Sequence, residues 1–377
     1  MRGCSETCVA VVANTAWYLY NFRGALIRQL LDRGWDVVAV AAPDGYVSQL
    51  EALGCRFVSV PIEGSGTNPF VELRTVWHLF AAYRRWRPDV ILQYTPKPNI
   101  YGGIAAQLAG IPCINNVSGL GSVFINGGPL SRVVRGLYRI SQRRAYRVFF
   151  QNPDDRQLFI DSRLVDPART ALLPGSGVDL VRFAPRESAC GDTVRFLLIA
   201  RLLWEKGIGE YVEAARALKR DGAEAECQLL GFVEDDNPRM ASESQVRAWE
   251  AEGVVRWLGS CDDVRPHIAQ ADCVVLPSYY REGTPRSLLE AAAMGKPLIT
   301  TDAPGCREVV DDGGNGFLCH PRDWQSLYHV MTRMLALTPE QRDIMGRRSR
   351  EKMEREYDEQ IVINAYLEAV EGIACPA

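Results

Sequence analysis

The sequence predicts an α/β protein of two domains built on parallel sheets, and three observations predict it. Residues 273–302 read strand, loop, helix, strand: Cys273 to Leu276 is a short apolar β-branched run, Pro277 to Gly283 is polar loop, and Pro285 to Met294 is helical. Thr284 is the expected cap and Pro285 the first helical residue. Gly295 and Pro297 stop that helix before Leu298 to Thr301 resumes as a strand, which completes a parallel βαβ unit. Short apolar runs alternating with amphipathic stretches recur along the chain. Finally, 377 residues with 47% apolar and 24% charged side chains suffice for two cores.

Ligands of parallel sheets bind at the strands' C-terminal ends, and two carboxylates mark that end here. Glu282 lies just ahead of the helix and Glu290 about one and a half turns into it. The first-turn amides of Gly283, Thr284 and Arg286 suit a phosphate, whereas acids would repel one and accept hydrogen bonds from sugar or ribose hydroxyls. Together they read as a sugar-nucleotide site. A capping acid plus a solvated helix acid would show the same spacing. Glu290, however, stands among Leu288, Leu289, Ala291 and Ala292, where an unpaired charge is costly.

The run Glu282-Gly283-Thr284-Pro285-Arg286-Ser287-Leu288-Leu289-Glu290-Ala291 resembles the E-x7-E signature of retaining glycosyltransferases of family 4. The resemblance extends along nearly the whole chain and is strongest toward enzymes that elongate polyprenyl-diphosphate-linked oligosaccharides and other bacterial surface glycans. It implies the GT-B fold, two Rossmann-like doubly wound domains facing across a cleft. The expected boundaries are 1–185 for an acceptor-binding domain, 186–355 for a nucleotide-sugar-binding domain, and 356–377 for a last helix crossing back to the first domain.

In chain order, Cys8 to Ala13 is the first strand, Asn14 to Asn21 its loop, and Phe22 to Leu31 an amphipathic helix before the strand Asp36 to Ala41. The loop lacks GxGxxG, which removes the main support for a dinucleotide-dependent dehydrogenase. The resemblance turns Asn21 and Arg23 toward the cleft, where Arg23 meets a phosphate or caps its helix. Strands follow at Arg56 to Val60 and Val90 to Leu92, with a helix from about Phe70 to Trp86 between them. The next loop carries Tyr94, Lys97 and Asn99, a natural acceptor contact, although Pro96 and Pro98 could simply shape the connection. A helix from Ile100 to Ala109 leads to the strand Cys113 to Asn115 and the loop Asn116 to Gly121, whose Ser118 is assigned to the acceptor. Some family 4 enzymes have a histidine here; this chain has none, and no catalytic histidine is assigned.

Val148 to Gln151 and Thr170 to Leu173 close the first sheet, and Pro174 to Phe183 resembles the family's interdomain segment, with Arg186 to Thr193 as a polar linker. The second domain opens with the strand Val194 to Ala200. Arg201 and Lys206 follow, two cations placed to hold a donor diphosphate, as the family's Arg and Lys do; alone, the pair would read as surface charge. Cys227 to Leu230 and Val254 to Leu258 are strands that end in Gly231 and Gly259, where a base could approach the backbone. The resemblance assigns Asn315 to Leu318 to the next strand and about Tyr357 to Gly372 to the last helix.

The net charge of −3 conceals an asymmetry, because residues 1–185 hold 20 Lys/Arg against 13 Asp/Glu. A basic first half suits an anionic partner. Its cations cluster in Arg84-Arg85-Trp86-Arg87 and at Arg132, Arg135, Arg139, Arg143, Arg144 and Arg147, interleaved with apolar residues, a pattern shared by membrane-surface helices and ordinary solvated ones. No apolar run is long enough to cross a membrane and the N-terminus does not resemble a signal peptide. A cytoplasmic protein is expected, with a peripheral place at the inner face of the membrane open to it. The 11 scattered cysteines fit reduced structural thiols, and the four separated histidines fit packing or surface roles. There is no Asp-x-Asp motif, so no metal and no cofactor are expected, the UDP-sugar being a substrate.

These readings combine as retaining transfer of a hexose or N-acetylhexosamine from a UDP-sugar to a sugar hydroxyl of a polyprenyl-diphosphate-linked or other surface-glycan acceptor. Arg201, Lys206 and Glu282 are the expected catalytic residues, and Glu290, Gly283, Thr284, Arg286 and Gly231 bind the donor. A UDP-N-acetylglucosamine 2-epimerase and a nucleotide-sugar-binding protein without turnover are the alternatives. No nucleic-acid partner is expected.

Overall fold

The computed structural model of the chain describes residues 7–63, 66, 68–120, 124, 128–186, 193–234 and 236–374. Most of the expected linker, Gly121 and Asp235 lie outside them. The chain forms two compact units, one of residues 1–176 with 360–377 and one of residues 177–359.

The first unit contains β1 (Cys8–Thr15), α1 (Ala16–Asp32), β2 (Asp36–Ala42), α2 (Val47–Ala52), β3 (Arg56–Ser59), α3 (Pro69–Trp86), β4 (Val90–Tyr94), α4 (Gly103–Ala109), β5 (Cys113–Val117), α5 (Gly128–Gln142), β6 (Arg147–Phe150), α6 (Pro153–Asp161) and β7 (Thr170–Leu172). Its seven strands are parallel in the order β3-β2-β1-β4-β5-β6-β7. Alternation along β1 builds both faces. Val9, Val11 and Ala13 pack with α1, while Cys8, Ala10 and Val12 pack with residues of α3, α4 and α5.

The second unit runs β8 (Val194–Ile199), α7 (Ile208–Arg220), β9 (Ala225–Leu230), α8 (Glu243–Ala251), β10 (Arg256–Trp257), α9 (Arg265–Gln270), β11 (Cys273–Leu276), α10 (Arg286–Ala293), β12 (Leu298–Thr301), β13 (Gly316–Cys319), α11 (Trp324–Leu335) and α12 (Pro339–Lys352). Its strand order, β10-β9-β8-β11-β12-β13, repeats the winding of the first sheet, and all pairs are again parallel. Winding reverses between β1 and β4 in one unit and between β8 and β11 in the other. A crevice at the strands' carboxyl ends opens at such a reversal.

Several elements differ from the sequence reading. The first helix starts at Ala16, so Asn21 sits inside it and not in a loop, and Arg23 lies about two turns in and not at the helix start. Thr15, extended at φ −137°, accepts the Tyr18 amide, and Phe22 packs against Trp17 and Tyr18, which holds the first turns helical. The helix expected from Ile100 opens as a π-helical turn, Pro98–Gly102, before α4. Residues 177–185 belong with the second unit, because Val178 donates to the Tyr357 carbonyl at 2.8 Å and Phe183 is buried in its core. The last helix, α13 (Glu359–Ala374), places Val362, Ile363, Tyr366, Leu367 and Val370 in the core of the first unit, on the face of the sheet covered by α1.

Eight of the cysteines lie among the described residues, and all are free thiols. Burial pushes those of Cys113, Cys227, Cys306 and Cys319 up to about 12.

Candidate active site

In the second unit, the segments after β8 and β11 bring Lys206 and Glu282 together. Arg201 follows β8 and is exposed. A 3₁₀ turn, Trp204–Lys206, then carries Lys206 into an ion pair with Oε1 of Glu282, which is buried. The same oxygen accepts the Ser278 hydroxyl at 2.8 Å. Both loops are latched at one atom: the Glu205 carbonyl accepts the amides of Tyr279 and Tyr280 at 3.0 Å each. Lys206 also lies 5.5 Å from the Tyr280 ring. Thr301, at the end of β12, donates its hydroxyl to the Ser278 carbonyl, which fixes the third strand end of the site.

Glu290 is paired with Arg286 at 2.7 Å, its side chain 12% exposed. Burial pushes its carboxyl above the ordinary value, and the Arg286 guanidinium partly offsets that. Helix α10 begins one residue later than its sequence suggests. Pro285 itself is the N-cap, with no side-chain cap, and its carbonyl accepts the Leu288 and Leu289 amides at 3.2 and 3.3 Å. Gly283 and Thr284 therefore precede the helix, and the first-turn amides are those of Arg286 and Ser287.

Gly231 is occupied differently from expectation. A Cβ there would lie 1.8 Å from the Ala200 carbonyl oxygen, while its own carbonyl accepts the Trp257 indole at 2.9 Å. The close backbone approach that requires glycine is made by the protein itself. A cavity lined by Pro185, Lys296, Pro297, Arg342 and Arg347 lies at the opposite, N-terminal ends of β11 and β12 and includes none of these residues.

In the first unit, Lys97 pairs at 2.5 Å with Glu72, both largely buried. Asn99 is buried and donates to the Asn116 carbonyl at 2.6 Å, so it holds the ends of β4 and β5 together and presents nothing to solvent. Ser118 is half-buried just beyond β5. Asn21 donates to the Trp17 carbonyl one turn back at 3.0 Å. Arg23, expected at a phosphate, is 2% exposed and stacks 4.1 Å over the Tyr94 ring. Of the basic cluster on and just after α5, Arg135 and Arg139 bond to Ser162 and Arg163 just past α6, and Arg132, Arg139, Arg143 and Arg144 are exposed.

Ser278, Glu205 and Glu72 escaped the sequence reading. Only Ser278 left a signal, four residues before Glu282 in the same loop. Among the described residues no group of His, Cys, Asp and Glu side chains is arranged to hold a metal.

Two doubly wound parallel units, one carrying a Lys–Glu pair at its switch point, are the architecture of the GT-B fold. Residues 22–175 match the glycosyl transferase 4-like domain and residues 184–352 the glycosyl transferases group 1 domain, and the chain belongs to the glycosyltransferases that join the two. It is 29% identical over 372 residues to the N,N'-diacetylbacillosaminyl-diphospho-undecaprenol alpha-1,3-N-acetylgalactosaminyltransferase of Campylobacter jejuni, covering 94% of this chain and 96% of that one. It is 24% identical to an Escherichia coli UDP-Gal:alpha-D-GlcNAc-diphosphoundecaprenol alpha-1,3-galactosyltransferase, over 80% of each chain. The fold matches Anabaena HepE in complex with UDP and glucose at a TM-score of 0.78 and 18% identity, across 97% of this chain and all of that one.

Proposed function

We propose that the protein transfers a hexose or N-acetylhexosamine, with retention and without a metal, from a UDP-sugar to a sugar hydroxyl of a polyprenyl-diphosphate-linked glycan. The observation that carries this is the Lys206–Glu282 pair at the β8/β11 switch point, with Ser278 fixing the carboxylate and Arg201 exposed just after β8. Breaking the bond between the anomeric carbon and the phosphate oxygen leaves negative charge on the diphosphate, and Arg201 and Lys206 supply two fixed cations for it. Glu282 orients donor hydroxyls, and Glu290 accepts from the ribose. The acceptor oxygen bonds to the anomeric carbon on the face from which the diphosphate departs, and its proton passes to the departing phosphate oxygen. No protein nucleophile or metal takes part.

The first unit supplies the acceptor contacts, Lys97, Ser118 and Asn21. A diphosphate-linked glycan suits its positive charge, and the names of both relatives above specify diphospho-undecaprenol-linked acceptors. Peripheral contact with an anionic membrane at the cytoplasmic face goes with this reading. The exposed apolar residues Phe70, Leu73 and Trp77 follow one stripe of α3, and Leu130, Val133 and Ile140 are exposed on α5 beside Arg132, Arg143 and Arg144. None of the described helices is long and apolar enough to cross a membrane.

The test is a matched set of UDP-sugar reactions in EDTA, with and without a polyprenyl-diphosphate-linked sugar, following UDP release and the lipid product. Acceptor-dependent UDP release with a lengthened glycan supports the reading. Epimerised donor, or a need for divalent metal, overturns it.

A further inference from the structure

Arg23 is a buried cation that the proposed chemistry leaves unused. Its guanidinium lies 4.1 Å over the Tyr94 ring and 6.0 Å from the rings of Tyr18 and Tyr366. Among the described residues, its Nε and Nη2 meet no hydrogen-bond acceptor. Burial opposes its charge, while the neighbouring Tyr18, Tyr94 and Tyr366 favour it, and the guanidinium is held above the ordinary arginine value. A buried cation without a carboxylate is costly beside an apolar side chain of similar volume, so this arrangement is not explained by packing alone.

The rings around it lead to two loops. Tyr94 ends β4 and precedes Thr95, whose φ of +67° is rare for a β-branched residue and whose hydroxyl donates to Asn14 at 2.9 Å. Tyr366, from the last helix, packs on Tyr94 at 5.6 Å and edge-on to Phe149 at 5.0 Å. Its hydroxyl accepts the Asn116 side-chain amide at 2.7 Å, and the Asn116 carbonyl in turn receives Asn99. One stack therefore underlies both the loop bearing Lys97 and the loop bearing Ser118.

We infer that Arg23 and Tyr366 are positioning residues that set the geometry of segments 95–99 and 116–120, at the ends of β4 and β5, so that the chain's last helix takes part in acceptor recognition without touching the acceptor. The acceptor half of this inference rests on the function proposed above; the loop half does not. Cation–π stacking fixes which ring faces meet, and the Tyr366 hydroxyl fixes the rotamer of Asn116.

The test uses the full chain and three variants, Tyr366→Phe, Arg23→Met and Arg23→Lys. Hydrogen exchange of residues 94–99 and 115–120 is expected to quicken about threefold to tenfold in Tyr366→Phe, the scale of one hydrogen bond, while exchange in β8 and β11 stays unchanged. Arg23→Met is expected to quicken it further and Arg23→Lys to restore part of the protection. With a polyprenyl-diphosphate-linked sugar, acceptor KM is expected to rise by a similar factor while the Kd for UDP is unmoved. Unchanged exchange in both loops overturns the inference, as does a parallel loss of UDP affinity. A Lys97→Ala control separates the two readings: if it leaves acceptor KM untouched, the acceptor assignment of this unit fails. If it raises KM while Tyr366→Phe and Arg23→Met do not, the positioning inference alone fails.

Discussion

At the scale of single residues, the site of the second unit is a set of charges that restrain one another. Lys206 is neutralised by Glu282 and Glu290 by Arg286, so each substitution exposes a partner as well as removing a group. Lys206→Ala is expected to slow transfer about a hundredfold to a thousandfold at saturating donor, the scale of one lost electrostatic stabiliser, and steady-state kcat checks it. Glu290 gives a pH signature. Its folded carboxyl binds a proton more tightly than the unfolded chain does, so its contribution to stability falls as pH rises from the ordinary carboxylate value through the raised one. Donor binding has the opposite slope, because the ionised form is the stronger acceptor for ribose. UDP affinity of the native chain is expected to weaken on acidification through that window, and Glu290→Gln to flatten the profile; titration calorimetry across pH reads both.

At the scale of elements, boundaries moved where side-chain capping and proline competed with pattern. Aromatic residues at 17, 18 and 20 resembled a loop in sequence, yet Thr15 caps them into a helix. Near the 282–284 loop, backbone crowding sets a sharper limit. Gly305 has φ +86°, and a Cβ on it would fall 2.1 Å from the Gly283 carbonyl oxygen. Gly305→Ala is expected to cost about 3 kcal/mol and displace the 282–284 loop, whereas Gly136→Ala, in α5 with open space around it, gains up to about 1 kcal/mol. Denaturant midpoints of the two variants test the contrast. The α3 stripe makes a separate prediction. Phe70→Ser with Trp77→Ser is expected to reduce co-sedimentation with vesicles rich in anionic lipid and to leave transfer to a short soluble-chain acceptor intact.

At the scale of the whole molecule, the two units repeat one winding, and the chain returns to the first through α13. A donor bound only by the second unit should protect only that unit. UDP at about 100 times its Kd is expected to add about 2.7 kcal/mol to the opening free energy of β8 and β11, with little change in β1 and β2, and hydrogen exchange measures it. The sequence by itself determined the alternation of strands and helices and the βαβ unit around residues 273–302, because periodicity and turn residues are local properties; the association of Arg201 and Lys206 with Glu282 and Glu290 came from the family resemblance. Tertiary structure decided which of the expected residues face a ligand. Arg23 and Asn99 are polar and lie near strand ends, yet long-range packing against Tyr94, Tyr366 and Asn116 buries both. The partners that set each charge, Glu72 for Lys97 and Glu282 for Lys206, are 25 and 76 residues away along the chain. Such pairings depend on how the strands are ordered in each sheet, which no local pattern in the sequence encodes.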